Sequence, residues 1–451
     1  MPNIPRLAVG ALDETTDTQP MLWALTEVLG RLGLNVQMFS SQAKFEAHDG
    51  SVVLTGQRRR HLDSWLMTAD VGRELFQHGA RTADLAIIEG VYDKRVDASG
   101  DDAGRRDHPQ GGSFNTVCDW LDVPRLAVLD AGRLRHGFGA ERPADLDGVL
   151  IDNVRDNAEA CRLQTTIEAL WGVPVLSTLQ VLPNVRAVIS GLRRGCAPSR
   201  ELCRALGESL ATRMRMEKLW NIASSRPLPC GQSRIFQDRV SDYPLNVAVA
   251  VDDVFQCYFP DTLDLLEARG ATLCDFSPLR DDRLPRDTDV VYFGCGHPEY
   301  HAATLAGNHC MKQSLWTHVR AGGRILAECG GVAYLCEQLE TEDGRHLPMA
   351  GLLPAAARVN ANPSACRAVE VTLDDDTWLG EAGTRLRGYR NDGYTLEPTG
   401  LLRGHILEAD HRFDLVGDNR VVASRIHLDF AAQTGLLDRF FDPLPQYSVV
   451  S

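Results

Sequence analysis

Ile325-Leu-Ala-Glu-Cys-Gly-Gly-Val-Ala-Tyr-Leu335 is an apolar strand that runs into a cysteine and leaves through two glycines into a helical pattern. This is the strand–turn–helix setting of a nucleophile elbow. The tight turn puts Cys329 at its tip, and Gly330 and Gly331 leave room for a substrate. Backbone N–H groups at the start of the helix lower the thiol pKa and hold an oxyanion. A buried structural cysteine in a sheet-to-helix turn is the other reading of the same residues.

Outward from the elbow, the second half reads as alternating strands and helices. It starts with Leu245-Asn-Val-Ala-Val-Ala-Val, continues through a helix around Thr262 to Ala268 and strands at Asp289-Val-Val-Tyr-Phe and Gly323-Arg-Ile-Leu-Ala, and closes with Arg420-Val-Val-Ala-Ser and a short helix after Phe430. The first half repeats the pattern. Arg6-Leu-Ala-Val-Gly is followed by a helical stretch (Met21, Leu22, Leu25, Val28, Leu29, Leu32) and by strands at 34–39, 85–88, 125–129 and 148–151. Strand-sized runs alternating with helix-sized ones predict βαβ units and parallel sheets with ligands at the carboxyl ends of the strands. In the first half those ends follow Val9, Ile88, Leu129 and Ile151. The polar, proline-containing stretch Arg226-Pro-Leu-Pro-Cys-Gly-Gln-Ser predicts a linker over 226–244, between domains at 1–225 and 245–451. The polar segment Asp97 to Gly112 reads as a mobile loop.

Composition narrows the classes. A length of 451 residues exceeds what one core sustains, and 44% hydrophobic with 24% charged residues is globular. With 47 basic against 61 acidic residues the net charge is −14, which opposes sequence-independent nucleic-acid binding. No run approaches the ~18 apolar residues of a membrane helix, and the N-terminus lacks the plan of a signal peptide. Twelve cysteines without a C-x-x-C pair read as free thiols in a cytoplasmic protein. No zinc or haem motif is present, and no metal ligand set is expected.

A thiol nucleophile needs a base. Val422-Ala-Ser-Arg-Ile-His-Leu-Asp-Phe offers His427 at a strand end. Asp429 lies two residues on, on the same side of an extended segment, where it could fix the imidazole tautomer. A partly buried histidine at a strand terminus is the alternative.

These residues lie within a longer, ordered likeness. Val251-Asp-Asp-Val-Phe-Gln-Cys-Tyr-Phe, Leu263-Asp-Leu-Leu-Glu-Ala-Arg-Gly-Ala, Phe276-Ser-Pro-Leu-Arg-Asp-Asp-Arg-Leu-Pro, Phe293-Gly-Cys-Gly-His-Pro-Glu-Tyr-His-Ala, Ala327-Glu-Cys-Gly-Gly, Met349-Ala-Gly-Leu-Leu-Pro and Ala423-Ser-Arg-Ile-His-Leu occur in that order. Together they resemble the glutaminase domain of the cobyrinic acid a,c-diamide synthase family, a branch of the triad-type glutamine amidotransferases. The resemblance implies Cys329 as nucleophile, His427 as base, and Gly294, Gly296 and Gly330 as oxyanion or glutamine-binding positions. It implies a class I amidotransferase-like sheet over 245–451 and glutamine as the ammonia source. The family's second histidine is Asp429 here, which favours a Cys–His–acid triad. Its Gly-His-Glu-Phe-His-Tyr-Ser strip appears as Gly388-Tyr-Arg-Asn-Asp-Gly-Tyr.

The first half resembles the same family's synthetase domain, a P-loop-NTPase-like (dethiobiotin-synthetase-like) parallel sheet. Leu62-Asp-Ser, Ile88-Glu-Gly-Val, Gly112-Ser, Val123-Pro-Arg-Leu-Ala-Val-Leu-Asp and Gly148-Val-Leu-Ile have counterparts there. The family's Gly-rich phosphate loop ending Gly-Lys-Thr is replaced by Val9-Gly-Ala-Leu-Asp-Glu-Thr-Thr-Asp-Thr-Gln-Pro. Thr18 stands near the lysine position, and Asp13, Glu14 and Asp17 bring carboxylates where phosphates would sit. An acidic strip has become Gln42-Ala-Lys-Phe-Glu-Ala, although Glu89 remains as a residue that could meet a magnesium ion. The resemblance implies magnesium and ATP as cofactors; the loop argues against them.

Three functions stay open. One is amidation of carboxylates on a corrinoid or sirohydrochlorin-type tetrapyrrole, with a homodimer or an ATP-competent partner chain completing the chemistry. The second is a tetrapyrrole-binding or regulatory paralog, and the third a stand-alone glutaminase or amidase.

Overall fold

The computed structural model describes residues 4–93, 111–136, 141–229, 234–237, 245–361, 366–406 and 413–442. Most of the 97–112 segment lies outside them. The chain divides into two compact units, Met1–Gly104 with Gly112–Ser233, and Arg105–Gly111 with Arg234–Ser451.

The first unit is built on one parallel sheet of seven strands in the order β3 (Arg60–His61), β2 (Val36–Ser40), β4 (Leu85–Val91), β1 (Arg6–Ala11), β5 (Arg125–Asp130), β6 (Leu146–Val154) and β7 (Val175–Gln180). Its central strands are continuous apolar runs because helices cover both faces; Leu7, Ala8, Val9, Ile87 and Ile88 are fully buried. The helix Gln19–Arg31 opens with Pro20 in its first turn, where a missing N–H costs nothing. It is buried from Pro20 to Val28 and beyond, packing against the helix Arg200–Ala211. Gly207 permits that approach, since a Cβ there would lie 2.6 Å from the Glu27 side chain. The chain leaves β1 toward β2 on one side and later crosses to β5 on the other. The carboxyl ends of β1, β4 and β5 therefore form a topological switch point, the place where such sheets hold ligands.

The second unit centres on a six-stranded sheet, β10 (Ala271–Phe276), β8 (Leu245–Ala250), β11 (Val290–Phe293), β13 (Arg324–Glu328), β21 (Val421–Ser424) and β20 (Leu415–Gly417), parallel except for the β20 edge. Three smaller sheets accompany it. They are β9 (Phe255–Cys257) with β12 (Cys295–Gly296), the four strands β15 (His346–Pro348), β14 (Cys336–Glu340), β16 (Leu353–Val359) and β19 (Tyr394–Pro398), and the three strands β17 (Arg367–Thr372), β18 (Arg385–Arg390) and β22 (Ile426–His427). A single core runs from Ala248 and Phe293 through Tyr334 and Leu335 to Leu396 and Val421, tying the large sheet to the four-stranded one. Both units are α/β, as the alternation of elements predicts.

Candidate active site

Three neighbouring parallel strands of the second unit deliver the site. β11 ends at Phe293 and leads to Cys295, β13 ends at Glu328 and leads to Cys329, and β21 ends at Ser424 and leads to His427. Register fixes their level: Phe293 pairs with Ala327, and Glu328 with Ser424. Residues 34 to 132 positions apart thereby meet at one sheet edge.

Cys329 takes φ 45° and ψ −101°, a backbone conformation an L-residue adopts only under constraint. The constraint is visible. Its amide donates to the Ser424 carbonyl (2.8 Å), and the following helix Gly330–Leu335 packs at once against β11. A Cβ at Gly330 would lie 2.3 Å from the Gly296 carbonyl oxygen, so only glycine lets the turn after β11 close over the elbow. The elbow read from Ile325 to Leu335 is thus a strand, a strained cysteine and a short helix.

His427 places its ring between thiols. Cys329 Sγ lies 3.5 Å from Nδ1 and 3.7 Å from Nε2, and Cys295 Sγ lies 2.7 Å from Nδ1 and 3.9 Å from Nε2. All three residues are buried. Burial pushes the Cys329 thiol up, but the Cys295 thiol that donates to it and the His427 charge prevail and bring it down to about 6. Burial opposes a charged imidazole, yet the Cys329 thiolate beside it holds His427 well above its ordinary value. Burial and the same thiolate push Cys295 well above the usual thiol range. The shifts run in the directions that favour a thiolate at Cys329, a charged imidazole at His427 and a neutral thiol at Cys295.

The remaining expected positions divide. Gly330 stands at the first position of the helix, and its N–H makes no hydrogen bond outside that helix among the described residues. The Gly294 N–H donates to the Tyr258 hydroxyl (2.9 Å). Gly296 pairs with Phe255 in the β9–β12 ladder, and a Cβ on it would strike the Val254 carbonyl. Asp429 is buried, and its Oδ1 accepts from the Ala431 N–H (3.0 Å). The carboxyl immediately before Cys329, that of Glu328, senses the His427 charge; burial pushes it up to about 8, which keeps it protonated at neutral pH. The departing strip from Gly388 lies on β18, where Tyr389 pairs with His427.

Cys295, Glu328 and Cys366, whose thiol also engages the His427 ring, were not singled out as site residues by sequence. The one available signal was the Gly-Cys-Gly tripeptide at a strand end. It reads as a turn until the fold shows what stands opposite.

The switch point of the first unit is occupied by its own side chains. Arg133 pairs with Asp13 and reaches Thr15. Thr18 Oγ1 and Gln19 Nε2 both donate to Glu89 Oε1 (2.7 Å each), and the buried Arg59 guanidinium pairs with Glu89 Oε2 and with Asp49. Glu89, the residue expected to meet a magnesium ion, is held by side chains of this unit. Both its oxygens are taken, and the cation beside it is Arg59. Magnesium requires carboxylate and water oxygens around it, so these residues do not fit a magnesium–nucleotide pair.

Glu46 is half-buried near this cluster, and burial together with the Glu89 charge pushes its carboxyl up to about 7. An unfolded chain releases that proton near 4.5, so across this window only the folded state keeps it. The stability contributed by Glu46 therefore falls as pH rises toward 7. The Tm difference between Glu46→Gln and wild type is expected to grow in favour of the variant from about pH 5 to about pH 7.5 and then level. A difference that stays flat with pH would remove the shift.

Comparison with known proteins follows the same division. Residues 246–433 match the CobB/CobQ-like glutamine amidotransferase domain. The chain is 28% identical over 459 residues to a cobyrinate a,c-diamide synthase of Syntrophotalea carbinolica, covering 97% of this chain and 98% of that one. It is 27% identical over 487 residues to a hydrogenobyrinate a,c-diamide synthase of Streptomyces coelicolor, covering 97% of each. A solved glutamine amidotransferase aligns at 18% identity and TM-score 0.33, covering 43% of this chain and 96% of that one. No helix among the described residues is long and apolar enough to cross a membrane. The ordered motifs and the elbow agree with these comparisons: the chain is similar end to end to cobyrinate and hydrogenobyrinate a,c-diamide synthases, and residues 246–433 match the CobB/CobQ-like glutamine amidotransferase domain.

Proposed function

We propose that the second unit hydrolyses glutamine at Cys329 and supplies ammonia for amidation of carboxylates on a corrinoid of the cobyrinate or hydrogenobyrinate type. The observation that carries this reading is the strained Cys329 within reach of His427 on the adjacent strand end. The thiolate attacks the side-chain amide carbon, and the negative charge that develops on its oxygen is met by the Gly330 N–H. His427 gives its proton to the departing ammonia, leaving a glutamyl thioester. Water then attacks with the imidazole as base, and glutamate and the thiolate are released. Labelling with the glutamine analogue 6-diazo-5-oxo-norleucine tests the assignment. One adduct on Cys329, with ammonia release lost in proportion, is expected; labelling elsewhere, or none, would sink it.

The Arg59–Glu89 pair supports a narrower second statement, that this chain does not itself activate the acceptor acid with a nucleotide bound at the β1 loop. Acid activation then falls to a partner chain. Calorimetric titration with magnesium-ATP is expected to show no saturable binding up to millimolar concentration. Saturable binding would reverse this and restore a complete ligase.

A further inference from the structure

The chain of the second unit changes sheets at a single residue. β21 ends at Ser424 in the six-stranded sheet, β22 begins at Ile426 in the three-stranded one, and Arg425 is the corner between them. Cys329 and His427 both depend on this corner. The Ser424 carbonyl accepts from the Cys329 amide (2.8 Å), the Arg425 carbonyl stands 3.6 Å from Cys329 Sγ, and His427 follows two residues on. A corner one residue long has no ladder of its own, so its direction depends on what holds the side chain. The Arg425 guanidinium is held from two sides. Nη1 lies 3.6 Å from Asp414 Oδ1 and Nη2 donates to Asp392 Oδ1 (3.2 Å), while the Arg425 amide donates to the Asp414 carbonyl (2.7 Å). Asp414 also pairs with the buried Arg390, which stands opposite Ile426 in the β18–β22 ladder, and Asp392 also pairs with Arg367 of β17. Three guanidiniums share two carboxylates, so one positive charge is left over.

We propose that Arg425, clamped between Asp414 and Asp392, is a positioning residue for glutamine hydrolysis: it fixes the corner that sets His427 against Cys329. The proposal rests on the glutaminase reading of that pair. Exposed ion pairs hold little, but this one is shielded, with the Asp414 side chain 2% and the Arg425 side chain 20% exposed. A misplacement of about 1 Å in a group poised for reaction costs up to about a hundredfold in rate. Swinging the Arg425 peptide displaces the imidazole and the carbonyl beside the thiol together. The left-over charge acts in the same sense. Burial opposes a thiolate at Cys329, and after the Cys295 thiol and the His427 charge the Arg425 charge helps to bring that thiol down. The full hold needs arginine, because its planar fork reaches two carboxylates at once.

Steady-state ammonia release from glutamine by full-length Arg425→Gln, Arg425→Lys and Asp392→Asn tests the clamp, with far-UV circular dichroism reporting the fold. Arg425→Gln is expected to lower kcat about thirtyfold and to leave KM for glutamine within about threefold. Arg425→Lys keeps the charge and one of the two pairs, and is expected to recover most of that loss. Asp392→Asn leaves the Asp414 pair in place and is expected to lower kcat about threefold; it carries the test where Arg425→Gln does not fold, and a kcat equal to wild type then overturns the clamp. A kcat for folded Arg425→Gln within about twofold of wild type, a loss confined to KM, or a lysine variant no better than the glutamine one also overturns it. Ammonia release by the wild type checks the glutaminase reading separately. If it is absent, that reading fails, and the hold on Cys329 is decided by the rate at which iodoacetamide alkylates its thiol, read on the Cys329 peptide. A fall of about tenfold in Arg425→Gln supports the clamp, and an unchanged rate overturns it.

Discussion

Cys329→Ser is expected to lower ammonia release from glutamine by more than about a thousandfold, with the fold unchanged. Serine fits the cavity, keeps the strained turn and accepts the same neighbours, so packing is nearly conserved. What disappears is the anion. The arrangement brings the Cys329 thiol down to about 6, so it is ionised at neutral pH, whereas a serine hydroxyl beside the same imidazole stays protonated and must be deprotonated during attack. The comparison of steady-state ammonia release with the thermal melt separates the two effects. Activity within tenfold of wild type would remove Cys329 from the role of nucleophile, whatever the geometry suggests.

The second large effect is on stability. Arg59→Ala leaves Glu89 and Asp49 without their shared cation and Glu46 without its counter-charge. Removing one partner of a buried ion pair costs about 3–5 kcal/mol, chiefly because the remaining charge is stranded. For a unit of this size that is roughly 10 °C in Tm. Adding Glu89→Gln to Arg59→Ala is expected to restore part of the loss, since the stranded charge goes with it. Calorimetric melts of the single and double variants measure the coupling. Additive losses would mean that the pair carries no net interaction.

Local pattern made the strands, the alternation and the elbow readable, because each depends on neighbours within a dozen residues. Ile325 to Leu335 declared a strand, a turn and a helix by composition alone, and Arg6 to Gly10 declared a buried strand. The segment 336–398 did not declare its antiparallel sheets. Its antiparallel strands pair with partners far along the chain, as β16 does with β19 and β18 with β22. Cys295 was invisible for a related reason. Its significance lies in a ring 132 residues away, and no periodicity carries that distance. For Asp429, spacing of two predicts a shared face with His427 but does not name the Ala431 N–H as a donor to its carboxylate. The acidic residues of the loop after β1 were readable in the sequence, yet Arg59 as the cation paired with Glu89 was not, because it sits on a different connection.

The convergence of β11, β13 and β21 also fixes when the site comes into being. Contacts that span 98 and 132 residues close only after the loops between them have lost their freedom, which places them late in folding. Until β21 docks beside β13, Cys295 and Cys329 belong to a nascent chain in which neither has its histidine. Regain of activity after dilution from denaturant is therefore a clock for the final strand rather than for collapse, and oxidants meet these thiols most readily during synthesis, before the last strand arrives.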